Sequence, residues 1–418
     1  MITFYICSER ALLMSNKKNI AIVVQRCSKD IAAGAELYAF HLAQSLAEQG
    51  LQVEILTSKS DDYINWNNNL PSEEIIETSG VSFKIKRFKV LHGRFKIFFG
   101  IIKRFNLFLL KYFNFIYLKL SVFLDYLFLR SQGPWCPGLW NELEKNSENY
   151  SLVIIKSYLY APNYYAIKKI SNKVKTLFIV TAHDQPEFRF QFVYKFLLEA
   201  TTLGFVSQSE KKICNSIWLN SNNKNSIILP PGIHFNTNEN QIIQNNIKEI
   251  STKKYFIYIG RIDRLKNIDF IIKHTPQNCS VVFAGDLKYT LPKDPRFIYV
   301  GKINDIEKEL LLKKALALVI SSRYEAYSMI TAEAIYHDCF VLALKGCAPI
   351  DELIEHYGGL SCEENEFKNI MQEIWDNKLN INKFKKNQTK YFSPEKNWNT
   401  NAIKIIDLLN QKKDNFSI

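Results

Sequence analysis

A chain of 418 residues exceeds what one hydrophobic core normally holds, since single cores stop growing at roughly 250–300 residues, so two domains are expected. With 47% hydrophobic and 23% charged residues, and with no internal repeat or low-complexity tract, neither a disordered chain nor a solenoid fits. The formal net charge of +13 is concentrated: residues 84–130 hold eleven Lys/Arg against the single acid Asp125, and the remainder is nearly balanced.

Residues 1–18 read as an extra lead-in without a signal peptide, and Met14 is a candidate start. The apolar stretches there are short, Glu9 and Arg10 interrupt them, and no A-x-A site follows. Residues 19–24 (NIAIVV) form an apolar run bounded by polar residues, which predicts a buried strand. A loop to Gly34 follows, then a helix over 35–49 that carries Leu37, Phe40, His41, Leu42, Leu46 and Ala47 at helical spacing. Gly50 stands where a C-terminal cap belongs. Residues 51–57 (LQVEILT) are the next strand, which completes a βαβ unit and opens a parallel sheet.

The basic segment 84–130 is also dense in aromatics, from Phe95 to Phe128. No stretch of 18 residues in it is free of charge, which argues against a membrane-spanning helix. Lys96, Lys103 with Arg104, Lys111 and Lys119 recur every seven or eight residues, which keeps cations on one side of a helix. An aromatic body with a basic face suits an interfacial helix on anionic lipid, or a lipid-linked acceptor. A solvated face on an ordinary core helix is the plainer alternative. A nucleic-acid patch is disfavoured, because no nucleic-acid motif accompanies the charge.

Beyond this insert, alternation resumes with strands at 152–157, 176–182, 202–207 and 226–233 and a helix from Glu210. The asparagine-rich patches 219–225 and 236–246 read as surface loops, and 236–252 as the domain linker. A second series follows: strands at 254–260, 280–285, 297–302, 316–322 and 339–344, with helices near 266–274, 304–315 and 328–337. The final helix spans about 396–411. The expected fold class is therefore α/β, with two facing doubly wound parallel-sheet domains and a ligand cleft at the C-terminal ends of the strands. Eight scattered cysteines, Cys7, Cys27, Cys136, Cys214, Cys279, Cys339, Cys347 and Cys362, form neither CxxC pairs nor a metal-ligand spacing. They read as reduced, buried hydrophobes of a cytosolic protein.

Two stretches carry chemistry. In GRIDRLKN (260–267), directly after a strand, Gly260 permits a sharp turn from which Arg261 and Lys266 can converge on a diphosphate. In SSRYEAYSMITAEAIYHD (321–338), Glu325 lies in the loop after a strand. Ser328 is the expected N-cap of a helix whose second turn carries Glu333. Carboxylates suit vicinal hydroxyls and helix-terminal amides suit phosphate, so one Glu would read a sugar and the other a ribose.

Together, the strand-end RxxxxK and the later E-x7-E resemble glycosyltransferase family 4, with its GT-B fold of two facing Rossmann-like domains. Supporting pieces are GAE at 34–36, HD at 183–184 and PPGI at 230–233. The resemblance implies an N-terminal acceptor-side domain at 19–236, a nucleotide-sugar-binding domain at 253–390, and a C-terminal helix, 391–418, returning to the first. It implies that Arg261 and Lys266 bind the donor diphosphate and stabilise its departure, Glu333 the ribose and Glu325 the transferred sugar. Gly260, Ala326, Tyr327 and Ser328 would line the donor site. Gly34 would allow close backbone approach, and His183 would contact the sugar near the reaction centre.

The protein so implied is an enzyme, a retaining hexosyltransferase that needs no cofactor and no divalent metal, with which the lack of an evident DxD is consistent. Its partners would be a nucleotide-sugar donor and a glycan or lipid-linked acceptor, its location the cytoplasm or the inner membrane face, its role polysaccharide biosynthesis. Lys96, Lys103, Arg104, Lys111 and Lys119 would serve the membrane or the acceptor. Alternatives are a nucleotide-sugar 2-epimerase, a sugar-phosphate synthase, or a non-catalytic glycan- or lipid-binding scaffold. The sequence also departs from the family: Ala326, Tyr327 and Ser328 replace its glycines, Asp338 stands where a glycine is usual, and Ala33 precedes Gly34 in place of a second glycine.

Overall fold

The computed structural model describes residues 19–29, 34–63, 65–219, 225–233, 242–384 and 392–411. The lead-in 1–18, Ala33, Cys7 and the first part of the linker lie outside the described residues. The chain forms two compact units. The first comprises Met1–Val206, Lys211–Pro230 and Trp398–Ile418, the second Ser207–Glu210 and Pro231–Asn397.

The first unit is built on an eight-stranded sheet. Its strands are β1 (Asn19–Arg26), β2 (Gln52–Ser58), β3 (Glu73–Thr78), β4 (Val81–Phe88), β5 (Leu152–Lys156), β6 (Thr176–Ile179), β7 (Thr202–Phe205) and β8 (Ser226–Ile228), in the order β3-β4-β2-β1-β5-β6-β7-β8. All neighbours are parallel except β3, which pairs antiparallel with β4. Ile22 sits in register with Ile55 on one side and Ile154 on the other, so the apolar run of β1 is central and buried. Helix α1 (Gly34–Glu48) packs on β1, β2 and β4.

The basic segment does not form one helix, as its sequence suggests. Its first cations belong to β4, where Lys84 pairs with Glu73 at 2.9 Å, Lys86 with Glu142, and the buried Arg87 with Glu74 at 2.5 Å. Two helices follow, α2 (Lys96–Tyr112) and α3 (Asn114–Gln132). Phe113 separates them at φ −137°; its N–H bonds Leu109 O at 2.8 Å while its carbonyl accepts from Tyr117 at 3.0 Å, so one residue ends one helix and begins the next. The Phe95 N–H reaches Ser131 O at 3.0 Å, which closes the two helices into a hairpin. Ile102, Leu109, Tyr117, Leu124, Phe128 and Leu129 from this hairpin enter the core of the unit.

The remaining helices of this unit are α4 (Pro137–Lys145), α5 (Ala161–Ile170), α6 (Gln191–Glu199) and α7 (Gln208–Cys214), the last straddling the two units. In the second unit lie α8 (Asn245–Ile250), α9 (Ile268–His274), α10 (Asp305–Lys314), α11 (Met329–Tyr336), α12 (Ala348–Tyr357) and α13 (Glu364–Trp375). The C-terminal α14 (Asn397–Asn410) belongs almost entirely to the first unit, where Trp398 meets Tyr38 edge to face at 5.1 Å.

The second unit has a six-stranded, wholly parallel sheet: β9 (Phe256–Ile259), β10 (Val281–Ala284), β11 (Phe297–Gly301), β12 (Leu318–Ile320), β13 (Val341–Leu344) and β14 (Leu360–Cys362). Their order is β11-β10-β9-β12-β13-β14. The chain winds outward from β9 in one direction and from β12 in the other. The switch point thus falls between β9 and β12, and a crevice outside the carboxyl ends of those strands is where ligands bind in open α/β sheets.

Candidate functional site

The two chemistry-bearing stretches leave the carboxyl ends of β9 and β12, on either side of that switch point. Gly260 ends β9 at φ 147°, and Gly285 ends β10 at φ 130°. A Cβ on Gly285 would sit 2.0 Å from the Gly260 carbonyl, so glycine is obligatory there. Arg261 then forms an ion pair with Asp263, whose other oxygen accepts the Lys266 N–H at 2.9 Å and caps the short turn Arg264–Lys266.

That turn aims Lys266 across the switch point. Its ammonium donates to Glu325 Oε1 at 2.5 Å, both side chains being half-buried. Backbone ties hold the geometry: Ser321 Oγ donates to the carbonyls of Lys266 at 3.1 Å and Asn267 at 2.9 Å. Asn267 Nδ2 returns a bond to Ser321 O at 3.1 Å from a left-handed backbone at φ 58°. Beneath, the buried Tyr258 hydroxyl donates to Arg261 O at 2.9 Å. Burial, reinforced by the carboxylates of Glu325 and Asp263, holds that phenol well above its usual range, so it remains a donor.

After Glu325, Ala326 and Tyr327 are buried. Ser328 occupies the N-cap position, as expected from the sequence, but does not cap α11 with its side chain. It adopts φ 78°, and its Oγ shares a hydrogen bond with Thr331 Oγ1 at 2.7 Å. With the backbone left-handed, the Ser328 side chain makes no cap hydrogen bond to the helix amides.

Glu333 lies on α11 but is not joined to Lys266. It is buried, and Lys308 Nζ on α10 reaches its Oε1 at 3.0 Å and Asp305 Oδ1 at 3.1 Å. Burial raises the Glu333 carboxyl above the usual carboxylate range, and the Lys308 charge opposes that shift. Nothing in the sequence singles out Lys308, because it follows a capping box, Asn304 with Glu307, and looks like any helical lysine. Asp263, Asn267 and Ser321 are equally inconspicuous there, since their roles are to shape backbone.

Gly34 and His183 lie in the first unit. Gly34 begins α1, and among the described residues a Cβ there would meet nothing within 4 Å. Two residues on, Glu36 is buried against Arg26 Nε at 2.6 Å and Gln25 at 3.1 Å. His183 is half-buried in a turn after β6, where its carbonyl accepts from Gln185 N at 2.7 Å. Of the insert cations, Lys96, Arg104, Lys111 and Lys119 are exposed, whereas Lys103 pairs with Glu187. Among the described residues no group of three or more His, Cys, Asp or Glu could hold a metal ion, and the seven described cysteines are free and buried.

Residues 239–391, which include both chemistry-bearing stretches, match the family model described as glycosyl transferases group 1. No curated protein matches the chain by sequence. Among solved structures, sucrose-phosphate synthase from Thermosynechococcus elongatus superposes with a TM-score of 0.65 at 16% identity, covering 94% of this chain and 98% of that one. An E. coli trehalose-6-phosphate structure bound with UDP-2-fluoro glucose gives 0.59 at 10% identity, covering 94% and 99%. The Anabaena HepE protein, solved in complex with UDP and glucose, gives 0.53 at 14% identity, covering 94% and 97%. At these identities the likeness establishes the fold, which is GT-B; families 4 and 20 are not distinguished by it.

Proposed function

We propose that the chain is a retaining, metal-independent glycosyltransferase that moves a hexosyl group from a nucleotide-sugar to a glycan or lipid-linked acceptor. The observation that carries this reading is the 2.5 Å contact of Lys266 with Glu325 at the switch point, with Arg261 on the same turn. The group 1 family match over 239–391 covers these residues and supports it. Arg261 and Lys266 bind the donor pyrophosphate, and Glu325, released from Lys266 as the phosphates arrive, accepts from hydroxyls of the sugar. Glu333, paired with Lys308, accepts from the ribose hydroxyls. Ala326, Tyr327 and Ser328 provide the wall between them, and Gly260 the bare backbone below.

In the reaction the bond from the sugar's anomeric carbon to phosphate oxygen breaks and a bond from that carbon to the acceptor oxygen forms on the same face. The acceptor proton passes to the departing phosphate oxygen. The two cations stabilise the charge that develops there, a contribution of about 3 kcal/mol for one such contact. The roles of Gly34 and His183 rest on the family resemblance.

The test is a thermal-shift panel of UDP-, GDP- and ADP-sugars, because a ligand that binds only the native state raises the melting point. One donor should stabilise the chain and be turned over in the presence of a chelator. A panel without any shift, or release of free nucleoside diphosphate with no acceptor elongated, would overturn the transferase reading, the latter in favour of an epimerase.

A further inference from the structure

The α2–α3 hairpin presents an outer surface that the fold leaves bare. Ile97, Phe115 and Val122 are exposed by 82%, 69% and 70%, and Ile101, Phe105, Phe108, Tyr112 and Phe123 are exposed as well. Ile97, Ile101, Phe108 and Tyr112 recur at helical spacing on α2, opposite the buried Ile102, Asn106 and Leu109. Phe115, Val122 and Tyr126 form the matching stripe on α3. A patch of this extent is far from what the surface of a monomer normally tolerates.

Charge on this surface has one sign. Lys96, Arg104, Lys111, Lys119 and Arg130 are exposed. Asp125, the one acid between residues 95 and 132, is turned into the core with its carboxylate 3.8 Å from Lys195. Lys119 lies over the Phe115 ring at 4.2 Å and Lys111 over Tyr112 at 4.9 Å, so aliphatic stems, rings and ammonium groups share one layer. Neither helix is long and apolar enough to cross a membrane. An aromatic surface edged by cations, with no acid to repel an anionic partner, complements phospholipid headgroups over an acyl layer.

We propose that the outer face of the α2–α3 hairpin docks on an anionic lipid bilayer and lies in its interface. The core-facing residues fix the hairpin to α5 and α6 of the first unit, so docking brings that unit to the membrane surface. Lys103, held by Glu187, takes no part. The inference is independent of the donor reading, because none of the residues at the switch point is involved.

The full chain is to be sedimented with vesicles of phosphatidylcholine alone and of equal parts phosphatidylcholine and phosphatidylglycerol, with light scattering to report its oligomeric state. Binding is expected only to the anionic vesicles. Each cation near a membrane surface contributes about fivefold in affinity, so Arg104→Gln, Lys111→Gln and Lys119→Gln together should weaken it on the order of a hundredfold. Phe108→Ser, Tyr112→Ser and Phe115→Ser together should abolish the binding that survives high salt. These side chains are exposed, and circular dichroism should report an unchanged fold. Equal binding to both vesicles, no binding to either, or insensitivity to either triple substitution overturns the proposal. A wild-type dimer that the aromatic substitutions dissociate, without vesicle binding, would instead make this face a contact between copies.

Discussion

Lys266 Nζ and Glu325 Oε1 lie 2.5 Å apart, though the two residues are 59 positions apart in the chain and leave different strands. On the proposed function, each neutralises the other until the donor's phosphates and hydroxyls take over the two roles. Lys266→Met should therefore lower kcat/KM about a hundredfold, the size of one lost charge-stabilising contact of about 3 kcal/mol. Glu325→Gln keeps the shape and should spare nucleotide affinity while weakening selection of the sugar. Calorimetric titration with nucleoside diphosphate and with nucleotide-sugar separates the two effects. Equal losses for both ligands in both variants would contradict the assignment.

Ser321 touches no proposed ligand, yet its hydroxyl ties the two loops together. Ser321→Ala removes the one hydroxyl proton shared between two carbonyls, a contribution of about 1 kcal/mol beyond the carbonyls left without it. The variant should lose about 1–2 kcal/mol in urea unfolding and bind nucleotide-sugar more weakly, and Ser321→Thr should restore part of both.

Lys308 is the counterion of a buried carboxylate. Lys308→Met leaves Glu333 buried without its cation, at a cost of about 3 kcal/mol at neutral pH. A carboxyl whose folded pKa is raised contributes stability below its unfolded value and loses it as pH rises through the folded one. Because Lys308 opposes the raised pKa of Glu333, its removal raises that pKa further. The difference between variant and wild type should accordingly be smaller at about pH 5 than at about pH 8, as measured by denaturant unfolding at both.

Asp125 behaves similarly inside the hairpin. Burial pushes its carboxyl up from 3.8 to about 7, against the pull of Lys195. Its protonated form favours the folded state, so this stabilising contribution is complete below about pH 4 and is lost as pH rises through about 7. Asp125→Asn should unfold at a temperature less dependent on pH across that window and be the more stable protein above it. An unchanged pH profile would show that Asp125 is not the group responsible.

Much of the second unit could be read from its sequence, because strands such as FIYI and VVFA are short apolar runs buried on both faces. The first unit was less transparent where the chemistry of a residue misstates its place. Lys84, Lys86 and Arg87 add to the basic count of 84–130 in the sequence, but they sit in β4, where they pair with acids on β3 and α4. Strand β3 was overlooked because Glu73, Glu74 and Glu77 outnumber its isoleucines. The break at Phe113 has no proline or glycine to announce it.

At the candidate site, the types and order of Arg261, Lys266, Glu325 and Glu333 were visible. Which acid meets which base was not. That depends on the left-handed turn at Asn267 and on α10 lying beside α11, relations that only the tertiary fold specifies.

The glycine at 285 closes off one route of change in the second unit. With the neighbouring carbonyl where a methyl group would have to go, no side chain can be added at that strand end without displacing β9 and, with it, the turn that carries Arg261 and Lys266. On the proposed function, diversification toward a different sugar is channelled to the stretch after Glu325. There the chain already carries Ala326, Tyr327 and Ser328, and exchanges alter the shape of a wall while leaving the cationic turn in place.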